Sequence, residues 1–246
     1  MAATRGASVQ RFRRCGVDDR TPMTSTTNTK VAAAGRGFAA LTWGCVAAAS
    51  LIASAASVRA ESGSPVPDAD HKLGMYGDPT AAARYWHQQH SSDCGELAVA
   101  DVVGQITGRA PTERQITALA EATPSITGRG PIWKSPDGNT DIKNLPVLLW
   151  HYGIRAENIQ TSTSALEQDL AEGRKVIALI NAETIWNWPG KRDFANHFVV
   201  VTGIDTRARV VHLNDSGIMT GSDEQVRIAT FERAWALNHN SAIVTR

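Results

Sequence analysis

The sequence predicts an α+β fold in which N-terminal helices pack on an antiparallel sheet. Segments with helical periodicity fill the stretch from about residue 93 to 173, and runs of β-branched residues follow from residue 175 onward. Two of those runs are separated by the short segment "TRA", which suits a hairpin. Helices followed by hairpin-linked strands favour α+β over the regular alternation that builds a doubly wound parallel sheet.

The first two helices have clear start and stop signals. One is predicted to begin at Asp93 or Cys94 and to end at Gly108, with Asp93 as a strong N-cap type. The next lies in "APTERQITALAEAT" and has Thr112 as its N-cap. Cys94 is therefore predicted to lie at a helix N-terminus.

Two further helices precede the strands. A short helix in "NLPVLLWHYG" is predicted to end at Gly153. Another lies in "STSALEQDLAEG", where Ser164 and Glu167 have capping-box spacing and Gly173 is the stop. These helices complete the predicted helical half of the fold.

The second half of the chain is predicted to supply the sheet. Strand signals are found in "KVIALIN", "NHFVVVTGID", "RVVHLND" and a closing "SAIVTR". A helix in "FERAWALNH" is predicted between the last two of these.

The N-terminal segment resembles a targeting sequence. Basic residues precede an uncharged run from Gly37 to Val58, and "SVRA" provides small residues for cleavage after Ala60. We therefore expect residues 1–60 to be a signal peptide, residues 61–75 a flexible linker and residues 76–246 the folded domain. An uncleaved membrane anchor is the alternative, because Gly37–Val58 is long enough to span a bilayer. Either outcome predicts a secreted or cell-envelope protein.

The charge of the remaining chain excludes one large class of partner. Of 25 basic and 24 acidic residues, 8 basic and 2 acidic ones lie in residues 1–60, which leaves 17 and 22 and a net charge of −5. Nucleic-acid binding depends on clustered Lys and Arg that neutralise phosphates. The composition therefore predicts no nucleic-acid partner.

Cys94 is the residue that most needs an explanation. Cleavage after Ala60 would remove Cys15 and Cys45 and leave Cys94 as the one thiol of the exported chain. A cysteine without a disulfide partner in an oxidising compartment is either a buried small hydrophobe or a reactive group. The polar stretch ahead of Cys94 favours a reactive thiol, whose pKa the helix N–H groups would lower.

His197 and Asp215 are the predicted partners of this thiol. His197 opens an apolar strand, and hairpin pairing would bring the end of the next strand, with Asn214 and Asp215, back beside it. Either of these side chains would accept a hydrogen bond from the imidazole and fix its tautomer. A core histidine and an ordinary turn are the structural alternatives.

These motifs together resemble a known family. The segment "QHSSDCG", followed by "NHFVVVTGID" and "VVHLND", is similar to papain-like cysteine peptidases that process bacteriocin leader peptides at double-glycine sites, and more closely to stand-alone exported relatives. The resemblance implies a papain-like fold and a peptide or protein substrate. It also implies Cys94 as nucleophile, His197 as base, Asp215 as the orienting carboxylate and Gln88 as oxyanion donor.

The resemblance has further consequences. It implies no metal or organic cofactor. It favours Gln88 over Gln89 as the oxyanion donor, because the family glutamine lies six residues before the nucleophile. The substitution Gln89→Ala is therefore predicted to leave turnover nearly unchanged. Ser216 stands where the family usually has proline.

Other functions remain open at the level of the sequence. His87, His90, Asp93 and Cys94 are types that bind zinc, although they would have to converge across a helix boundary. A peptidoglycan-directed Cys-His amidase or endopeptidase would use the same chemistry, and an exported peptide-binding module would use none. Trp186 and Trp188, ahead of His197, either line a substrate groove or cover the edge of the core.

Overall fold

The computed structural model describes residues 74–136 and 138–246, which belong to one compact unit. The predicted signal segment and nearly all of the predicted linker lie outside the described residues. The first strand begins at Met75, the last residue of the predicted linker, which pairs with Asp205. Among the described helices none is long and apolar enough to span a bilayer.

The described α-helices fall mostly where the periodicity predicts them. In chain order they are α1 Pro79–Ala82, α2 Cys94–Thr107, α3 Glu113–Ala122, α4 Leu145–His151, α5 Thr163–Ala171, α6 Ala182–Ile185 and α7 Ile228–Trp235. The predicted caps Gly108 and Thr112 are confirmed, the latter within a reciprocal capping box with Gln115. The N-cap of α5 is Ser162 and not Ser164, because the preceding strand already ends at Gln160.

The described strands form one antiparallel sheet. They are β1 Met75–Gly77, β2 Ala156–Gln160, β3 Val176–Ile180, β4 His197–Asp205, β5 Val210–Asn214, β6 Glu224–Arg227 and β7 Ser241–Thr245. The order is β2-β7-β3-β4-β5-β6, and β1 pairs with β4. The predicted α+β class is therefore confirmed, and β1, β2 and β6 are additions that the sequence pattern did not predict.

The sheet is packed on both faces. Phe198 and Val200 of β4 join the cluster that contains α2, α3 and α4, whereas Val199 and Val201 point to the cluster under α5 and α7. This alternation follows from the period of two along a strand. The predicted packing of N-terminal helices on the sheet is thus confirmed for one face, and the other face carries later helices.

Two structural features bring distant parts of the chain to one end of the sheet. The buried helix α2 crosses β4, so that its first residue lies at the start of that strand. The hairpin of β4 and β5 pairs Val200 with Asn214 and contains an irregularity between Val201 and Gly203. The residue after Asn214 therefore returns to the level of His197.

Candidate active site

Cys94 lies where α2 meets β4. It is the first residue of α2 and has no exposed surface. The backbone N–H of Phe198 donates to Cys94 Sγ at 3.5 Å, which places the sulfur next to the residue that follows His197. The site thus joins a helix start to a strand start, two positions that are rigid in the backbone.

The oxidation state of Cys94 bears on its chemistry. In the structure Cys94 is disulfide-bonded. A sulfur in a disulfide is not a nucleophile, since attack requires the thiolate. Any thiol chemistry at this position therefore belongs to the reduced chain.

His197 and Asp215 form a buried pair. His197 Nε2 lies 2.7 Å from Asp215 Oδ1, and both side chains are almost completely buried. A carboxylate accepts only, so Nε2 carries the proton of this bond and Nδ1 is left to act as a base. This is the tautomer that proton transfer from a thiol requires.

The pKa of Asp215 is lowered although the residue is buried. Burial alone would raise it, but the electrostatic interaction with the His197 ring and hydrogen bonds from His197, the Gly217 N–H and Trp186 outweigh that effect. The Gly217 N–H donates to Oδ1 at 2.7 Å and Trp186 Nε1 donates to Oδ2 at 2.9 Å. Asp215 is thus held as a carboxylate in a fixed orientation.

Trp186 packs against the His197–Asp215 pair. Its ring centroid lies 5.1 Å from that of His197. A Cβ at Gly217 would come within 2.6 Å of the Trp186 ring and 3.0 Å of His197 Cε1. Only glycine at position 217 therefore lets the indole lie over the histidine.

Asn214 points away from the histidine. Its amide nitrogen donates to the Ala82 carbonyl at 3.0 Å and to Asp101 Oδ2 at 2.8 Å, and its oxygen accepts from the Asp223 N–H. Of the two neighbours that the sequence leaves open as partners of His197, the structure brings Asp215 to the ring. Their catalytic roles remain predictions.

The two glutamines ahead of Cys94 have different surroundings. Gln88 is half-buried, and no hydrogen bond of its side chain is seen among residues 74–136 and 138–246. Gln89 is buried, with its backbone N–H donating to the Ser216 carbonyl at 2.9 Å and its side-chain oxygen accepting from Ser216 Oγ at 2.9 Å. Gln88 is thus available as a donor, while Gln89 holds the loop.

Asp93 is the N-cap residue of α2, as predicted, but its side chain makes no capping hydrogen bond to the helix. The carboxyl is buried next to Glu113, and burial together with this neighbour raises the pKa of Asp93 to about 7. Two residues after the cysteine, burial also raises the pKa of Glu96 to about 7 despite a hydrogen bond from Thr140.

Glu224 is a residue of this region that sequence reasoning missed. Burial, followed by the neighbouring Asp215 carboxylate, raises its pKa to about 8, so Glu224 is mostly protonated at neutral pH. Its Oε2 is buried and has no hydrogen-bond partner among the described residues. No motif marks Glu224, because it reaches Asp215 only through the pairing of β5 and β6.

The histidines proposed for zinc have other partners. His90 Nδ1 lies 2.6 Å from Glu113 Oε2, and His87 Nδ1 lies 2.9 Å from the Tyr85 carbonyl. In the part of the chain that the structure describes, no group of three His, Cys, Asp or Glu side chains is arranged to hold a metal ion. The four residues of the zinc alternative therefore do not converge there.

Comparison with known proteins identifies the family. The model of the Peptidase_C39 like family matches residues 85–243, more than half of the chain. Uncharacterized proteins of Mycobacterium tuberculosis and Mycobacterium bovis are 45% identical over 195 residues, which covers 70% of this chain and 84% of each relative.

One solved structure shows the same fold, and a second gives a weaker superposition. A protein of Bacillus anthracis assigned as a C39-like peptidase superposes with a TM-score of 0.54 at 19% identity, covering 70% of this chain and 97% of that one. The peptidase domain of Streptococcus ComA, a bi-functional ABC transporter, gives a TM-score of 0.45 at 17% identity, covering 65% and 96% of the two chains. Because the family model covers more than half of the chain, the chain belongs to the C39-like peptidase family.

Proposed function

We propose that the reduced chain is a cysteine peptidase that hydrolyses peptide bonds and works in the cell envelope or outside the cell. One observation carries the proposal: His197, directly before the Phe198 N–H that contacts Cys94 Sγ, is paired through Nε2 with the buried Asp215 carboxylate. Membership of the family supports the same chemistry. The location rests on the N-terminal segment of the sequence.

The mechanism assigns one role to each group. His197 Nδ1 takes the Cys94 proton, and the thiolate attacks the peptide carbonyl to give a tetrahedral oxyanion. The backbone N–H of Cys94 and the Gln88 amide donate to that oxygen. His197 then protonates the leaving amine, a thioester remains on Cys94, and a water molecule activated by His197 hydrolyses it.

A peptide library tests the proposal. The purified chain, kept in a thiol reductant, should cleave a subset of peptides, while Cys94→Ala and His197→Ala should lower turnover by at least about 10³-fold. His151→Ala is the matched control, because this exposed histidine ends α4 and should leave turnover unchanged.

Two outcomes would overturn it. Cleavage that persists in Cys94→Ala would remove the cysteine from the chemistry. Peptide binding by the reduced wild type without any cleavage would make the chain a binding module.

A further inference from the structure

A pocket opens beside the His197–Asp215 pair. It has a volume of about 430 Å³ and is lined chiefly by Ile185, Trp186, Trp188, Ile218, Met219 and Glu224. Trp186 belongs both to this pocket and to the pair, because its indole contacts the His197 ring and donates to Asp215. The pocket is therefore separated from the histidine by a single side chain.

The position of the pocket defines the part of a substrate that would reach it. The leaving amine must come within hydrogen-bond distance of His197 in order to take its proton. The residues that follow the scissile bond therefore pass the histidine. A side chain on that part of the peptide lies closest to the pocket.

The walls of the pocket are apolar and partly exposed. The rings of Trp186 and Trp188 have centroids 4.8 Å apart, and Trp188 and Met219 are 40% and 67% exposed. Large exposed apolar side chains gathered next to a catalytic centre are typical of binding sites. Covering such surface with another apolar group is favourable by about 25 cal/mol per Å².

The backbone that carries the two tryptophans is held by hydrogen bonds. The N–H groups of Trp186 and Trp188 donate to the Ala182 and Glu183 carbonyls at 2.8 and 3.1 Å. Arg192 donates to the Trp188 carbonyl at 3.1 Å. A site held in this way loses little conformational entropy when it binds a ligand.

Glu224 is the ionisable residue among those that line the pocket. Because burial raises its pKa to about 8, the pocket is mostly uncharged at neutral pH. An uncharged apolar cavity disfavours a charged side chain, which would lose its hydration without gaining a partner.

We propose that this pocket binds a bulky uncharged side chain, such as that of leucine or phenylalanine, from the substrate segment that follows the scissile bond. The proposal rests on the proposed function, since it takes the orientation of the peptide from the role of His197. The proposed preference concerns the substrate side chain on the leaving-group side of the scissile bond.

Acyl transfer tests the preference. A peptide cleaved by the reduced full chain supplies the thioester, and amino-acid amides compete with water for it. The amine nitrogen attacks the thioester carbonyl, its proton passes to His197, a C–N bond forms and the C–S bond breaks. Phenylalanine or leucine amide should be incorporated at least about 10-fold more efficiently than glycine amide or lysine amide.

A pair of tryptophan variants locates the effect. Trp188→Ala should reduce the ratio of phenylalanine to glycine incorporation to within about 3-fold of unity. Trp150→Ala is the matched control, because Trp150 is 59% exposed on α4 and stacks with Arg155 outside the pocket. An unchanged ratio in Trp188→Ala, or a preference for lysine amide in the wild type, would overturn the proposal.

A binding measurement separates this proposal from the proposed function. Fluorine NMR should show para-fluorophenylalanine amide bound to the Cys94→Ala chain and released by Trp188→Ala in that background. Binding together with an inactive wild type would retain the pocket and reject the peptidase. No binding, whatever the activity, would reject the pocket.

Discussion

Asp215 receives hydrogen bonds from three directions, and its loss should disable His197. In the proposed mechanism the carboxylate fixes the Nε2–H tautomer and stabilises the imidazolium that would form. We expect Asp215→Ala to lower turnover by roughly 10²- to 10⁴-fold, measured on a peptide cleaved by the wild type. The melting temperature reports whether the variant is folded.

Asn214→Ala is the control for this prediction. Asn214 bonds Ala82 and Asp101 and not the histidine, so its loss should lower stability while turnover per folded molecule is largely retained. If Asn214→Ala impairs turnover more than Asp215→Ala, the orienting role belongs to Asn214.

The carboxyl of Asp93 should tune the reactivity of the neighbouring thiol. Since the pKa of Asp93 is about 7, a negative charge appears beside Cys94 above that pH and opposes thiolate formation. In the reduced chain, Asp93→Asn should therefore shift the pH profile of iodoacetamide alkylation to lower pH. Glu167→Gln, on α5 across the sheet, should leave the profile unchanged; a shift to higher pH in Asp93→Asn would contradict this account.

At the scale of elements, the loop before α2 is fastened to the end of β5. Trp86 Nε1 donates to the Asp215 carbonyl at 2.6 Å, and Gln89 and Ser216 exchange the two hydrogen bonds described above. The serine that replaces the usual family proline thus supplies a donor to this contact. The loop that carries Gln88 is positioned by the same segment that carries Asp215.

This contact makes Gln89 a positioning residue and revises the sequence-based expectation that its substitution is silent. Gln88→Ala should lower turnover by about 10²-fold with little change in KM, as for one oxyanion donor. Gln89→Ala should also lower turnover, and a double-mutant cycle with Ser216→Ala should give a coupling of about 0.5–3 kcal/mol. Ser216→Thr should retain activity. Additive effects in the cycle would leave Gln89 without a positioning role.

The elements also show which sequence signals are reliable. Helix α2 and its glycine stop were predictable, because apolar periodicity and a left-handed C-cap are local features. The position of Asp93 at the N-cap was predictable too, but the lack of a capping hydrogen bond from its side chain was not, because the burial of its carboxyl beside Glu113 depends on the packing of α3. Strand β2 was missed because "AENIQ" is largely exposed and pairs with β7 alone.

At the scale of the whole molecule, buried carboxyls should make stability depend on pH. Burial raises the pKa of Glu96 to about 7, that of Asp101 to about 6 and that of Glu224 to about 8. The folded state therefore binds more protons than the unfolded state between about pH 4 and 8, so this stability is fully present at low pH, falls as pH rises above about 4 and is lost once pH has passed the folded pKa values of about 6 to 8.

Urea unfolding at pH 5.5 and pH 8.5 measures the effect. The free energy of unfolding should be larger at the lower pH, and Glu96→Gln should reduce the difference by up to about 2 kcal/mol. Glu172→Gln, at the exposed end of α5, should leave the difference intact. A wild type that is more stable at pH 8.5 would contradict this reading.

The sequence predicted the fold class and the main site residues better than the contacts between distant elements. Cys94, His197 and Asp215 stand out because each begins or ends a recognisable element, and one hairpin suffices to bring the last two together. Other residues of the site have no local pattern that marks them. Glu224 meets Asp215 across the β5–β6 pairing, and Trp186 and Gly217 matter through the close approach of the indole to His197.

The central claim is that the reduced Cys94 sulfur attacks a peptide carbonyl, and intact-protein mass spectrometry tests it most directly. A reduced sample mixed with a cleaved peptide and quenched in acid should carry the acyl fragment as a thioester, and digestion should place it on Cys94. The adduct should accumulate to the highest level with an activated ester substrate and be absent in Cys94→Ala. Cleavage without an adduct on Cys94, together with undiminished turnover in Cys94→Ala, would contradict the account.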